Sequence, residues 1–561
     1  MKPWEVHHPS DQESDPGSKQ ESETIPLISK SSPKSLDFFG FNAWLIELEQ
    51  TFGRQLLVLL FSIQHLLKGF VFEFYRKANP YIFKLYHIPA PQAQVYVGVA
   101  SLPWALKPMI GLMSDICPIW GYNKAPYLIG ATICGVSALS YLGLSTVETS
   151  PITVIVMCLF MVILQISTCD LLSEARYSED IKVHSHAGPS MLTYTWGGMQ
   201  VFGLLAIAFS GAAVQYLGVR WMYLICVVPA ALVLVPVLMG YVGEKRVSEE
   251  QKLAKRRRFA EEQEMCWLCV IMFVATVTMT IAGILIKDTF VNAMLGLSIG
   301  VVVLVCFSFA LSPVIAKFNA FALIQTACML STNSAAFYFY TDSEEQYPAT
   351  ETSPGGPHFS MMFFNSGIGS VGAVCSLLGI WSYKRYLSQW RYRHLLVFTN
   401  VVYSCLACAD VVVFSRLNRR WGIPDEFFVL GAQGLENVLE QWMWMPQVVI
   451  LSYMVPQGME ATMYALLAGC HNLGFSIAQT CGGLALDLLG CHPRGAIGET
   501  DQFKNLWVAA SIAIVLPLVA ICLLFWLIPD APQTENFALD DSATKGSLWK
   551  QLIAGWTSAA P

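Results

Sequence analysis

Apolar runs of about twenty residues, separated by short polar connections, recur along most of this 561-residue chain. A run of that length crosses the hydrocarbon core of a bilayer as a helix. The pattern predicts six such helices in the first half, at 56–75, 95–114, 127–146, 152–172, 191–214 and 221–242. A polar stretch follows at 243–264, carrying Lys255-Arg256-Arg257-Arg258, and then two further runs at 265–286 and 291–315. The second half supplies 321–340, 359–381, 395–414, 427–453, 461–488 and 506–528. The expected fold is an all-α polytopic membrane protein of about 14 transmembrane helices, arranged six, two and six. Its expected parts are a disordered cytoplasmic tail at 1–50, a six-helix bundle at 51–243, a basic loop at 244–264, an inserted helix pair at 265–318, a second six-helix bundle at 319–530 and a cytoplasmic tail at 531–561.

Lysine and arginine set the orientation, because they collect on cytoplasmic loops. With the N-terminus inside, the inner loops hold Lys124, Arg176, Lys182, the 245–258 cluster, Lys317 and the run 384–393, while the outer loop 342–358 has no Lys or Arg. Two outer loops depart from the rule, one with Arg76, Lys77 and Lys84, the other with Arg416, Arg419 and Arg420. Trp221, Tyr241, Trp267, Tyr340 and Trp381 fall near span ends, as interfacial anchors do. Gly111-x-x-x-Asp115 with Lys124 after the second span is echoed by Gly379-x-x-x-Tyr383-Lys384-Arg385 in the second half. Two six-helix blocks joined by a long basic connection, with this internal echo, resemble the major facilitator architecture.

Composition agrees: 54% of residues are hydrophobic and 13% charged, against about 25% charged in soluble proteins. The net charge of −6 points to no nucleic-acid partner. The 16 cysteines are scattered singly through apolar runs, and the pairs Cys266/Cys269 and Cys405/Cys408 lack nearby His or Cys partners, so packing is their expected role and no metal or cofactor is expected. Residues 1–35 are polar and carry no cleavable signal; within them Glu23-x-x-x-Leu27-Ile28 has the form of an acidic dileucine sorting signal. The plasma membrane is the expected address, an endosomal or lysosomal membrane the alternative. With no H-E-x-x-H and no Walker loop, no catalytic residue and no enzymatic activity are expected.

Charges inside apolar spans carry the functional signal. A lysine at mid-membrane costs roughly 2.5–3.5 kcal/mol on insertion scales, so it is kept with a partner or a task. Lys107 lies between Trp104 and Pro108 and is either a cationic contact for an anionic solute or an ion-pair partner of a neighbouring helix. Asp170 and Glu174, four apart, share a helix face at the end of the fourth span, with Arg176 turned aside. Asp115, Lys124, Asp170, Glu174 and Arg176 are read as a gate network, and Lys107, Trp104 and Asn472 as solute contacts, Asn472 with helix packing as its other reading. Glu436 and Glu440 share a face amid Gly431, Gly434 and Trp442-Met443-Trp444 and are the candidates for proton coupling. His65, Lys68 and Glu73 add polar groups to the first span, and Trp196 and Trp444 are further stacking candidates.

Three segments resemble the folate–biopterin transporter family of the major facilitator superfamily, its protist pteridine-transporter branch most. They are Leu102-Pro103-Trp104 through Lys107-Pro108 to Ser114-Asp115, Pro118-Ile119 and Gly121-Tyr122; Asp170-Leu171-Leu172-Ser173-Glu174-Ala175-Arg176-Tyr177; and Met445-Pro446 with Pro456-x-Gly458-x-Glu460-Ala461 and Asn472-Leu473-Gly474. One departure is Asn123-Lys124-Ala125, where relatives commonly show paired arginines. The resemblance covers about 52–529 and implies a secondary active transporter taking up folate, biopterin or a related pterin with protons, in which Lys107, Asp115, Asp170, Glu174 and Arg176 are the matching positions. A same-family carrier of another solute, such as S-adenosylmethionine or an amino acid, and a non-transporting solute receptor are the rival readings.

Overall fold

The computed structural model describes residues 40–351, 353–453, 460–533, 544 and 546–552. The dileucine pattern, most of both expected tails and residues 456–459 of the third motif lie outside the described residues. Residues 1–47 and 48–561 are separate units, and the fold below belongs to the second. The tail expected through residue 50 ends earlier, because the apolar positions of Phe41–Phe52 make that segment helical.

Fourteen long helices follow in chain order among the described residues. They are α1 (Arg54–Leu85), α2 (Ala90–Ile116), α3 (Ala125–Leu144), α4 (Ile152–Val183), α5 (Gly188–Leu217), α6 (Val219–Leu238), α7 (Gln263–Leu285), α8 (Thr289–Ala310), α9 (Pro313–Thr341), α10 (Phe363–Leu387), α11 (Tyr392–Phe414), α12 (Asp425–Tyr453), α13 (Glu460–Leu488) and α14 (Thr500–Leu527). Composition and length make 12 of them candidate membrane spans. The other two, α12 and α13, are 29 residues each but carry acids, amides and a histidine among their apolar residues. Fourteen spans are expected; among the described residues twelve helices are long and apolar enough to be read as spans.

Helices α1–α6 pack on one another, as do α9–α14, and the two sets meet along α2–α13 and α5–α10. The pair α7 and α8 packs on α2 and α13 rather than standing apart. The α2–α13 seam is close because glycine faces it: a Cβ on Gly98 would stand 3.0 Å from Gln479. The connection expected as a basic loop is itself helical over Glu249–Glu261, started by a capping box in which Ser248 and Gln251 bond each other's backbone.

Two interruptions position the polar groups. Pro103 and Pro108 withdraw amide donors from α2, which tightens to a 3₁₀ turn over Leu102–Leu106 and resumes at Lys107. Helix α9 breaks at 329–332, between Pro313–Cys328 and Asn333–Thr341. There Ser331, Thr332 and Asn333 offer side chains that compete with the backbone ladder. Gln94 of α2 satisfies the break: its Oε1 accepts from the Ser334 amide at 2.8 Å, and its Nε2 donates to Ser331 Oγ at 2.9 Å and to Gln479 Oε1.

A larger correction concerns α1. Arg76 and Lys77 are expected in an outer loop, but α1 continues unbroken to Leu85 and carries both within it. Charges end an apolar window in the sequence, yet a helix that lines a polar cavity accommodates them.

Candidate functional site

Asp170, 1% exposed, is the centre of the first polar constellation. Its two carboxyl oxygens each take a lysine: Oδ1 accepts from Lys68 Nζ at 2.6 Å and Oδ2 from Lys107 Nζ at 2.6 Å. Gln64 Nε2 donates to Oδ1 at 3.0 Å and to Ser173 Oγ at 2.8 Å. Glu174, one turn along α4, stands 3.5 Å from Lys68 and 3.8 Å from Lys107. Two cations and two anions therefore balance within one buried cluster, the arrangement under which buried charge is tolerated. Each lysine also lies against an indole face, Lys107 at 4.8 Å from the Trp104 ring and Lys68 at 5.5 Å from the Trp196 ring. Of the two roles left open for Lys107, ion pairing is the one it fills in this arrangement.

The expected gate network divides in two. Asp170 and Glu174 join the lysine cluster. Lys124 and Arg176 join another, at the end of α4: Lys124 Nζ meets Glu179 at 2.7 Å, and Arg176 donates to Asp180 Oδ1 and to the Val242 carbonyl, each at 2.7 Å. Glu244 completes it by accepting the amides of Lys124 and Ala125 at 2.8 and 3.0 Å, where a carboxylate suits a helix N-terminus. Asp115 lies half-buried in the last turn of α2, eight residues and about 12 Å along the helix from Lys107. Asn472 donates to the Trp104 carbonyl at 3.3 Å and so joins α13 to α2.

Two adjoining cavities lie between the helix sets. The larger, about 650 Å³, is lined from one side by Lys68, Glu73, Arg76 and Lys77 and from the other by Asp410, Gln433, Glu436, Asn437 and Glu440. The smaller, about 470 Å³, reaches Gln94, Asn472 and Gln479. Phe72, Trp104, Phe337 and Phe364 border both. Volumes of this size suit a drug-sized organic solute. Of the expected solute contacts, Trp104 lines both cavities and Asn472 the smaller, while Lys107 lines neither. Glu436 and Glu440 face the larger cavity; Glu436 accepts from Gln433 Nε2 at 2.5 Å and from Tyr403 OH at 3.4 Å. Asp410 is not among the expected site residues, although a lone carboxylate in the apolar run 395–414 carries the same signal as Lys107.

One end of the cavities is covered by ties between the helix sets. Lys84 Nζ lies 2.7 Å from Asp342, whose side chain is 0% exposed, and donates its hydrogen bond to the Thr341 carbonyl at 3.1 Å. Apart from Lys84, neither Asp342 oxygen has a donor among the described residues. Burial pushes this carboxyl up to about 6, against the opposing pull of Lys84. Tyr338 OH donates to the Ile88 carbonyl at 2.8 Å, and the Ala90 amide to the Pro493 carbonyl at 2.9 Å. Tyr81 OH reaches Asn365 at 3.4 Å.

A helical membrane fold with a polar, solute-sized cavity between two six-helix sets defines a multi-pass membrane transport protein. The folds of solved transporters agree: a POT-family peptide transporter crystallised with sulfate superposes with a TM-score of 0.57 at 13% identity, covering 85% of this chain and 96% of that one. The chain belongs to the BT1 family, whose model matches residues 68–547. Among curated relatives, "Probable folate-biopterin transporter 6" of Arabidopsis thaliana is 26% identical over 482 residues, 85% of this chain and 83% of that protein. "Folate transporter 1" of Plasmodium falciparum is 21% identical over 471 residues, 82% and 77% of the two chains. The family and these relatives are transporters, and this chain is a transporter rather than an enzyme.

Proposed function

We propose that the chain carries a folate- or biopterin-type pteridine across a membrane, coupled to protons, by alternating access of the larger cavity to either side. The observation that carries this reading is the cavity of about 650 Å³ whose facing walls belong to different helix sets and are charged. A flat pterin finds aromatic faces in Phe72, Trp104, Phe337 and Phe364. A solute with carboxylates adds negative charge to a space already facing Asp410, Glu436 and Glu440. Loading a proton on Glu436 or Glu440 together with the solute offsets that charge, which is the physical basis for coupling. With the N-terminus cytoplasmic, the end tied by Lys84 and Asp342 faces outward, and rocking of the helix sets about the midplane breaks those ties. The plasma membrane is the proposed location, checked by imaging a tagged chain.

The test is uptake of radiolabelled folate and biopterin into vesicles holding the purified protein, with an acid-outside gradient imposed. Concentrative uptake that a protonophore collapses is expected, together with competition by unlabelled folate and biopterin. Binding without accumulation would instead make the protein a receptor. Displacement by S-adenosylmethionine or arginine, with folate inert, would assign another solute.

A further inference from the structure

We infer that the larger cavity holds its solute in one direction, with an anionic end at Arg76 and Lys77 of α1 and a hydrogen-bond-donating ring edge at Asp410 and Glu436 of α11 and α12. This assignment rests on the pteridine reading above and adds which wall reads which end.

The two walls differ in charge because they come from different helix sets. On the first, Lys77 is half-buried and has no hydrogen bond or ion pair among the described residues. Arg76, with its side chain 57% exposed, gives Nε and Nη2 to Glu73 at 3.2 and 2.7 Å, which leaves Nη1 for another acceptor. On the second, Asp410 is half-buried and likewise has no hydrogen bond or ion pair among the described residues. Glu436, which lines the same wall, offers a second carboxyl and no cation. Withdrawing charges from water without partners is expensive, so an unpaired cation and an unpaired anion facing one cavity are best explained by a solute that supplies both missing partners.

The chemistry fixes the direction. A 2-amino-4-oxopteridine presents its ring N–H and amino group side by side, a pair of donors that one carboxylate accepts bidentately. The glutamyl carboxylates of a folate are acceptors only and match Lys77 and the free edge of Arg76. The opposite placement sets carboxylates against acids and ring donors against cations, so it is rejected by repulsion at both ends. Biopterin has the ring edge but no carboxylates, and therefore engages only the acidic wall.

The experiment compares folate with biopterin uptake in the same vesicles for wild type, Lys77→Ala, Lys77→Arg and Asp410→Asn, normalised to protein content. For Lys77→Ala the folate-to-biopterin ratio is expected to fall about tenfold, because one charge-assisted hydrogen bond is removed for folate and none for biopterin. Lys77→Arg is expected to restore it. For Asp410→Asn both solutes fall together and the ratio stays. Wild-type uptake of both compounds with a ratio unmoved in Lys77→Ala overturns this assignment alone; so does a ratio that moves in Asp410→Asn but not in the lysine variants. Wild-type vesicles that take up neither compound overturn the pteridine reading, and this assignment with it.

Discussion

Asp170 holds two lysines, while each lysine has a second carboxylate within 4 Å in Glu174. That asymmetry predicts unequal costs for removing members of the cluster. Lys107→Met deletes one charge-assisted hydrogen bond but leaves Asp170 paired to Lys68 at 2.6 Å, so the protein is destabilised by about 1.5–3 kcal/mol. Asp170→Asn strips both lysines of their nearest anion and leaves Glu174 alone to answer two cations. Breaking a buried pair on that side costs about 3–5 kcal/mol. The double variant Lys107→Met/Asp170→Asn again balances one cation, Lys68, against Glu174 at 3.5 Å, and is expected to be more stable than Asp170→Asn alone. Urea or thermal unfolding of the purified protein in detergent gives the order wild type, Lys107→Met, double variant, Asp170→Asn. In the proposed carrier all three variants lose most solute uptake, because the cluster joins α1, α2 and α4 beside the cavity. An Asp170→Asn protein as stable as Lys107→Met would refute the charge balance, and near-normal uptake by Lys107→Met would remove that lysine from the mechanism.

Two further outcomes follow from the ends of the cavity. Asp342 is held near 6 when covered and returns to about 3.9 when solvated, so the covered state binds the extra proton. Covering this end is therefore favoured as pH falls through 6 and opposed above it, by up to about 3 kcal/mol. Spin labels at positions 88 and 345 should report a shorter distance at pH 5.5 than at 7.5, and the opposite trend would reject the linkage. Gly482 packs against the break in α9, where an added Cβ would lie 1.9 Å from the Ser331 carbonyl oxygen. Gly482→Ala should displace the break from Gln94 and lower both stability and uptake severalfold, by about 1–3 kcal/mol of overpacking, measured by unfolding and flux; an unchanged protein would show that the seam is looser than its geometry.

Much of this was readable in the chain. Lys107 and Asp170 announce themselves because each interrupts an apolar run, and Lys68 sits too deep to stand without a partner. Which groups meet is less accessible, since Lys68 and Asp170 are 102 residues apart. Arg176 and Lys124 leave the expected network because the chain after α6 returns to them through Val242 and Glu244, a meeting no periodicity encodes. Arg76 and Lys77 are hidden differently: hydropathy treats them as the end of a span, although the helix runs on. The break at 329–332 is invisible for the opposite reason, as the apolar run 321–340 continues across it.

The composition of α1 bears on biogenesis as well. Between Lys68 and Lys84 this helix carries five charged side chains, Lys68, Glu73, Arg76, Lys77 and Lys84, and each lysine or arginine near the centre of an isolated helix opposes partitioning from the translocon by roughly 2.5–3.5 kcal/mol. Its C-terminal half is thus a poor autonomous membrane segment at the moment it leaves the ribosome. Its charges are answered later: Lys68 when α4 arrives with Asp170, and Lys84 when the end of α9 arrives with Asp342. Helix α1 is consequently completed only by later helices, and truncated nascent chains ending before α4 should leave it only partly integrated.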